Sequence, residues 1–464
     1  MTRGHCTEDG RRRVAASRRA VAATAAVMTV LALASCGDDE SSSPEPSASS
    51  AAPATGEPEA EPSPSTSPTP GARVPEVEKV TAEVTASLAS DLAAPWGVAE
   101  LPDGAWLVTQ RDTRTVLRLS AGAGSSAPVT LTGPGADELV DGTTGEGEGG
   151  LLGIAVSPTF ADDGRVYVYR TAEDGNEVLW GELTDDTLGV LTPVIQEIPA
   201  AANHDGGQVA FGPDGFLYVT TGDAGVERDA QDPDSLAGKI LRLTPDGDAA
   251  PDNPVPGSPM WSMGHRNVQG IGWSDDGRMF ASELGQSRSD ELNLIVAGGN
   301  YGWPDVEGAA GTDDTEAGPA TADAADSADS ADTDGDTTTD RTGFIEPLVT
   351  WPTSSASPSG LAVTSEGIYL AGLGGETLWR VPLATQGVGT PQALLEGVYG
   401  RLRSVVVASN GTLRVLTNNT DGRGTPRAGD DQLLAVTITP VLATEPATVE
   451  PPTVEPPSLQ APAG

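Results

Sequence analysis

Three histidines occur in the 464 residues, and two of them, His204 and His265, lie in glycine-bounded polar loops. His204 stands in NHDGGQVAFGPDG, where Gly206 and Gly207 let a ligand approach the backbone closely. Asp223 follows at the end of the next apolar run, in TTGDAG. An imidazole oriented by a carboxylate is the usual make-up of a general base. His265 opens GHRNVQG, which places Arg266 beside Asn267. A guanidinium next to an amide suits an anionic or carbonyl-bearing ligand, with a structural ion pair as the other use of that arginine. Arg401 and Arg403 alternate in YGRLRSVVV and so share one face of a strand. They either bind an anion or pair with surplus carboxylates, and composition by itself favours the ion pairs.

The elements that must hold these groups are short strands. An acidic or amide residue followed by Gly precedes a β-rich run six times: at Asp103-Gly104, Asp163-Gly164, Asp214-Gly215, Asp276-Gly277, Glu366-Gly367 and Asn410-Gly411. Such a turn tolerates positive φ, and the apolar run after it fills a packed face. A further strand follows each copy: TVLRLS, VLWGEL, KILRLT, ELNLIV, TLWRVP and QLLAVTI. Successive copies start 44 to 90 residues apart, the longest interval holding the biased stretch 309–341. Repeats near the roughly 40–50 residues of a four-stranded blade predict a β-propeller, and six copies predict six blades. KVTAEVTASL, from Lys79, alternates well enough to pair with the last blade and close the ring, which removes two open sheet edges. The 57 Gly and 38 Pro argue against long helices. The fold class is therefore all-β, a six-bladed propeller over residues 79–440.

The ends and one interior stretch have other compositions. Residues 1–35 read as a signal peptide: an Arg-rich start, then an apolar run from Ala20 to Ala34 too short to span a bilayer. LASC, ending at Cys36, resembles the lipobox of bacterial lipoproteins, which predicts lipidation of Cys36 and anchoring on the outer face of the cytoplasmic membrane. A single acyl chain holds weakly, so diacylation is expected. Residues 36–78 are a Pro/Ser/Glu-rich tether, 309–341 an acidic low-complexity insertion and 441–464 a Pro-rich tail, all expected to be disordered. With Cys6 in the signal peptide and Cys36 lipidated, the remaining domain has no disulfide. Net charge is −41, and residues 1–35 carry +4 of it, so the remainder is near −45. Such a surface repels nucleic acid and anionic headgroups.

Several segments together carry a family resemblance. GGLLGIAVSPTF, HDGGQVAFGPDGFLYVTTGDAG, AGKILRLTPDG, GHRNVQGIGW, SELGQSRSDELNLIVAGGNYGWP, WPTSSASPSGLAV and GRLRSVVVASNGTLRVLTNN follow in order between about Leu92 and Val436. The chain resembles the pyrroloquinoline quinone (PQQ)-dependent sugar dehydrogenases, the soluble glucose dehydrogenase and aldose sugar dehydrogenase group. The resemblance implies a six-bladed propeller that oxidises an aldose at its anomeric carbon, with PQQ and Ca2+ as cofactors and a membrane quinone or another electron acceptor. It implies His204 as the base, Asp223 as the carboxylate beside it, Arg266 and Asn267 as quinone contacts, and Arg401 and Arg403 as ligands of the cofactor's carboxylates. It implies Trp351 near the sugar, and backbone carbonyls of Gly285 and Gln286 on the calcium. The chain departs from the family in two places. Gly374 stands where the family usually has Lys, and Glu148, at a cofactor-contacting position, where it often has Gln. A non-catalytic propeller lipoprotein that binds a cell-surface carbohydrate or protein is the alternative these departures favour. A calcium-dependent lactone hydrolase would need metal-binding carboxylates facing the channel, one per blade, which the sequence does not offer.

Overall fold

The computed structural model describes residues 79–121, 127–309, 343–385 and 387–441. The signal peptide, Cys36, the tether, nearly all of the acidic insertion and the Pro-rich tail beyond Val441 lie outside the described residues. The first strand, β1 (Lys79–Ala89), stands apart in sequence from the blade it joins. Blade I is β2 (Pro95–Glu100), β3 (Trp106–Gln110), β4 (Thr115–Leu119) and β5 (Val129–Thr130). Blade II is β6 (Leu151–Val156), β7 (Arg165–Ala172), β8 (Gly175–Thr184), the two-residue β9 (Thr187–Leu188) and β10 (Thr192–Ile198). Blade III is β11 (Val209–Phe211), β12 (Leu217–Thr220), β13 (Lys239–Leu243) and β14 (Met260–Met263). Blade IV is β15 (Val268–Trp273), β16 (Met279–Glu283), β17 (Ser289–Ile295) and β18 (Val349–Pro352). Blade V is β19 (Pro358–Thr364), β20 (Gly367–Gly372), β21 (Leu378–Val381) and β22 (Gln392–Leu394). Blade VI is β23 (Leu402–Val407), β24 (Leu413–Thr417) and β25 (Leu433–Val441), with β1 as its outermost strand.

The ring is a six-bladed β-propeller closed as the sequence predicts. β1 runs antiparallel to β25, from Lys79 opposite Val441 to Ala89 opposite Leu433. The closing strand thus ends at Val441, one residue into the expected tail. All six acidic- or amide-Gly turns join the first and second strands of their blades. The turn glycines Gly104, Gly215, Gly277 and Gly411 have φ between 80° and 85°, the region a side chain disfavours. These turns therefore gather on one face of the ring, and the starts of the innermost strands lie on the other.

Apolar alternation within each strand builds six buried clusters among the described residues, one between each pair of neighbouring blades. Leu107 of blade I meets Ile154 and Val168 of blade II. Tyr167 and Tyr169 of blade II meet Leu217 and Val219 of blade III. Val98 and Trp106 of blade I meet Leu416 and Leu433 of blade VI, which seals the ring. Burying a large side chain in this way contributes about 1.5–3 kcal/mol. The innermost strands approach so closely that a Cβ on Gly153 would lie 2.3 Å from the Gly207 carbonyl oxygen. No helix among the described residues is long and apolar enough to cross a membrane.

Candidate active site

The innermost strands start, and the second strands end, around one pocket at the face opposite the acidic turns. Its empty space is about 730 Å³, including the open mouth, within the range of small-molecule sites. Glu148 enters from the loop before β6, His204 from the loop before β11, and Arg266 and Asn267 from the residues before β15. Gly285 and Gln286 come from the turn after β16, Arg401 and Arg403 from the start of β23. Arg423, from the loop after β24, completes this wall.

His204 is the group with a base's geometry. Its Nδ1 lies 2.7 Å from Asp223 Oδ1, and Asp223 is wholly buried behind it. Asp223 also accepts Trp303 Nε1–H at 2.8 Å and the Gly225 N–H at 2.8 Å. Burial alone would raise the Asp223 carboxyl; the His204 hydrogen bond and charge, Gly225 and Trp303 together hold it below the usual carboxylate range. A charged Asp223 fixes the proton on Nδ1 and leaves Nε2 as the acceptor. His204 has φ 61°, costly for a residue with a side chain by about 1–3 kcal/mol. Its N–H donates to Glu148 Oε2 at 3.0 Å, which holds it there.

Glu148 is an ionised carboxylate with a partner. Oε1 accepts Arg423 Nη1–H at 2.9 Å, and Oε2 accepts the His204 N–H and, at 3.4 Å, Asn267 Nδ2–H. Burial would raise its pKa, but Arg423 and His204 bring it below the ordinary value. Arg423 therefore brings a cation to the pocket wall beside Glu148. Asn267 uses Oδ1 to accept the Gly206 N–H at 3.0 Å, so it ties the His204 loop to blade IV. Asp223 N–H donates to the Arg266 carbonyl at 2.8 Å across the same seam.

The arginines divide between the two readings. Arg401 pairs with Asp421 at 3.2 Å, as composition favoured. Arg403 has no ion pair among the described residues; Nη1 donates to Gln269 Oε1 at 2.8 Å and Ser359 Oγ at 3.3 Å. It is 5% exposed, and its Nε is buried without a partner. Burial, with the charges of Arg111 and Arg401 adding, pushes its guanidinium down to about 9. Arg266 makes no carboxylate pair either: Nη1 donates to the Leu284 and Gly285 carbonyls at 3.2 and 2.7 Å, and its Nε is also buried and unpartnered. Two guanidinium groups on a pocket wall without a carboxylate partner among the described residues fit a ligand rich in carboxylates. The carbonyls of Gly285 and Gln286 fit a hard cation, which takes oxygen ligands. Gly285 O keeps a second lone pair beyond the one that Arg266 uses.

One expected residue is elsewhere. Trp351 lies in β18, 6% exposed, packed with Trp379 at 5.7 Å between blades IV and V, and it does not line the pocket. From this segment it is Thr353, past the strand end, that reaches the wall. His265 is structural: it is fully buried, with Nδ1 2.9 Å from Glu283 Oε2 and Nε2 2.9 Å from Ser262 Oγ. Behind His204, Asp205 is buried with one carboxylate oxygen unpartnered; burial, with Glu148's charge adding, raises its pKa to about 7. Arg423 and Asp290 line the pocket without having been singled out in the sequence. Arg423 sits in a polar loop with no periodicity to mark it, though an arginine in a chain this acidic is itself a signal.

Comparisons with known proteins place the fold in a family. A family model described as Glucose / Sorbosone dehydrogenase matches residues 92–426. Quinoprotein glucose dehydrogenase B of Acinetobacter calcoaceticus is 31% identical over 253 residues, 47% of this chain and 52% of that protein. Aldose sugar dehydrogenase YliI of Escherichia coli is 34% identical over 234 residues, 47% of this chain and 60% of that protein. The chain thus spans between half and two thirds of the length of these two relatives. The solved PQQ-bound aldose sugar dehydrogenase of Streptomyces coelicolor is similar at 42% identity and TM-score 0.68, over 78% of this chain and 99% of that one.

Proposed function

This chain belongs to the glucose/sorbosone dehydrogenase family, and from that premise we propose that it oxidises an aldose at the anomeric carbon with PQQ and Ca2+ as cofactors. The observation that carries the reading is the His204–Asp223 pair facing a pocket walled by buried, under-bonded arginines. When bound, PQQ supplies the hydride acceptor and calcium the Lewis acid that polarises it. The chain's own residues do the rest. Arg403 and Arg266 neutralise the cofactor's carboxylates, with Arg401, held by Asp421, adding positive charge beside them, and the carbonyls of Gly285 and Gln286 hold the cation. His204 Nε2 takes the proton of the anomeric hydroxyl as the hydride leaves the carbon. Asp223 keeps the ring in the right tautomer and stabilises the imidazolium formed. Asn267 and Glu148 hold the His204 loop. The electron acceptor is a membrane quinone or another carrier.

The test is a titration of the purified protein with PQQ and Ca2+, followed by aldoses, with His204→Ala beside it. His204→Ala is expected to lower turnover by about 10²–10⁴-fold and leave cofactor affinity within a few-fold. If neither form binds PQQ at micromolar concentration, the dehydrogenase reading fails and a carbohydrate- or protein-binding propeller takes its place.

A further inference from the structure

The turn between β16 and β17 carries an unusual concentration of backbone donors. The N–H groups of Gln286, Ser287, Arg288 and Ser289 all donate to one oxygen, Glu307 Oε1, at 2.8, 3.0, 3.0 and 3.2 Å. The preceding N–H, of Gly285, donates to Asp290 Oδ1 at 3.0 Å. Two carboxyl groups therefore take five successive backbone donors. Glu307 stands on the far side of the turn from the pocket, with its side chain 8% exposed and Arg288 Nε 3.6 Å from its other oxygen.

Peptide geometry then fixes where the carbonyls point. In a trans peptide the carbonyl of one residue points opposite the N–H of the next. With the Gln286 and Ser287 donors aimed at Glu307, the carbonyls of Gly285 and Gln286 aim away from it, and both residues line the pocket. The Gly285 carbonyl already meets Arg266 Nη1 there at 2.7 Å, so the array faces a cation in the protein as it stands. A carboxylate that accepts an amide N–H also polarises that amide and strengthens its carbonyl as an electron donor. The turn is tight enough to require glycine at 285, where a Cβ would clash with the Ser289 carbonyl oxygen.

We propose that Glu307 is the positioning residue for divalent-cation binding in this protein: it aims and polarises the Gly285 and Gln286 carbonyls without touching the ion. This rests on the reading above, that these carbonyls hold calcium.

The experiment measures Ca2+ affinity of the purified full chain by calorimetry, with and without PQQ, and uses Tb3+ luminescence as a second probe. Glu307→Gln keeps the shape and one acceptor oxygen but removes the charge; it is expected to raise the Ca2+ dissociation constant by about 10–100-fold. Melting in EDTA is expected to show a folded protein. Glu291→Gln, nearby but bonded to none of these donors, is expected to bind as the wild type does. Where Glu307→Gln fails to fold, Glu307→Asp serves, with a carboxylate too short to reach all four donors and a smaller loss expected. Wild-type binding with an unchanged constant in the folded Glu307 variant overturns the role of Glu307 and leaves the calcium reading standing. No Ca2+ binding by wild type, with or without PQQ, overturns both.

Discussion

Replacing Arg403 by Met is expected to stabilise the cofactor-free protein and weaken its hold on PQQ. The side chain is buried, and burial with two neighbouring arginines lowers its pKa from the ordinary guanidinium range to about 9. That depression is worth about 5 kcal/mol against the native state at pH 7. Folding disfavours the protonated form, so the cost is complete below pH 9 and fades only as pH rises above that value. Met removes the cost. It also strands Gln269 Oε1, for about 1–3 kcal/mol, and loses the contact with the Trp96 ring at 5.4 Å, for about 1 kcal/mol. The net expectation is a gain of about 1–3 kcal/mol, read from urea denaturation at pH 7. Each charge-assisted hydrogen bond to a carboxylate is worth about 1.5–3 kcal/mol, so PQQ affinity should fall by at least about tenfold and by about 100-fold if two are lost. Quenching of tryptophan fluorescence would follow that binding. An arginine with a purely structural task behaves differently: Arg403→Met then destabilises the protein and leaves PQQ binding unchanged, and that pair of results refutes the reasoning.

Glu148 and Arg423 should behave as a unit. Arg423→Ala leaves a carboxylate uncompensated beside His204, so a cycle with Glu148→Gln, read on PQQ affinity, should give a coupling of about 1–2 kcal/mol; a value near zero means that the two act separately. Asp205, raised to about 7, contributes stability that is complete below about pH 4 and lost as pH rises through 7. Asp205→Asn should therefore remove a downward slope between pH 4 and 7 and gain up to about 4 kcal/mol at pH 8; an unchanged pH profile of unfolding refutes this. A lipid at Cys36 predicts that Cys36→Ala protein is released to the medium, and equal release of the wild type counts against an anchor.

The propeller was legible because its signal is local and repeated. Each acidic- or amide-Gly turn sits between the first two strands of a blade, and four of the six turn glycines have φ within 5° of one another. Residues of the pocket wall were legible where their type was rare, as with His204 in a chain of three histidines, and Arg401 and Arg403 in an acidic one. Trp351, placed near the sugar by the resemblance, packs instead between blades IV and V, because a shared motif carries over a residue's position without saying which face its side chain takes. Glu307 left no trace in the sequence. Its partners are backbone N–H groups of a turn about 20 residues away, and a carboxylate among so many acids carries no mark of that task. Arg423 was hidden in a similar way, because its meaning depends on Glu148, which the fold brings close from the far part of the chain.

The pairing of β1 with β25 has a consequence for synthesis. β1 is made first, yet its partner begins 344 residues after it ends. At about 5–20 residues per second, the wait lasts roughly 20–70 seconds. During that time β1 is an unsatisfied edge strand, the kind of segment that seeds aggregates. Its sequence, KVTAEVTASLA, answers this: Thr81, Glu83, Thr85 and Ser87 interrupt the apolar positions throughout. The polar face that meets solvent in the closed ring is also what keeps the newborn strand from pairing with the wrong neighbour before its own has been made.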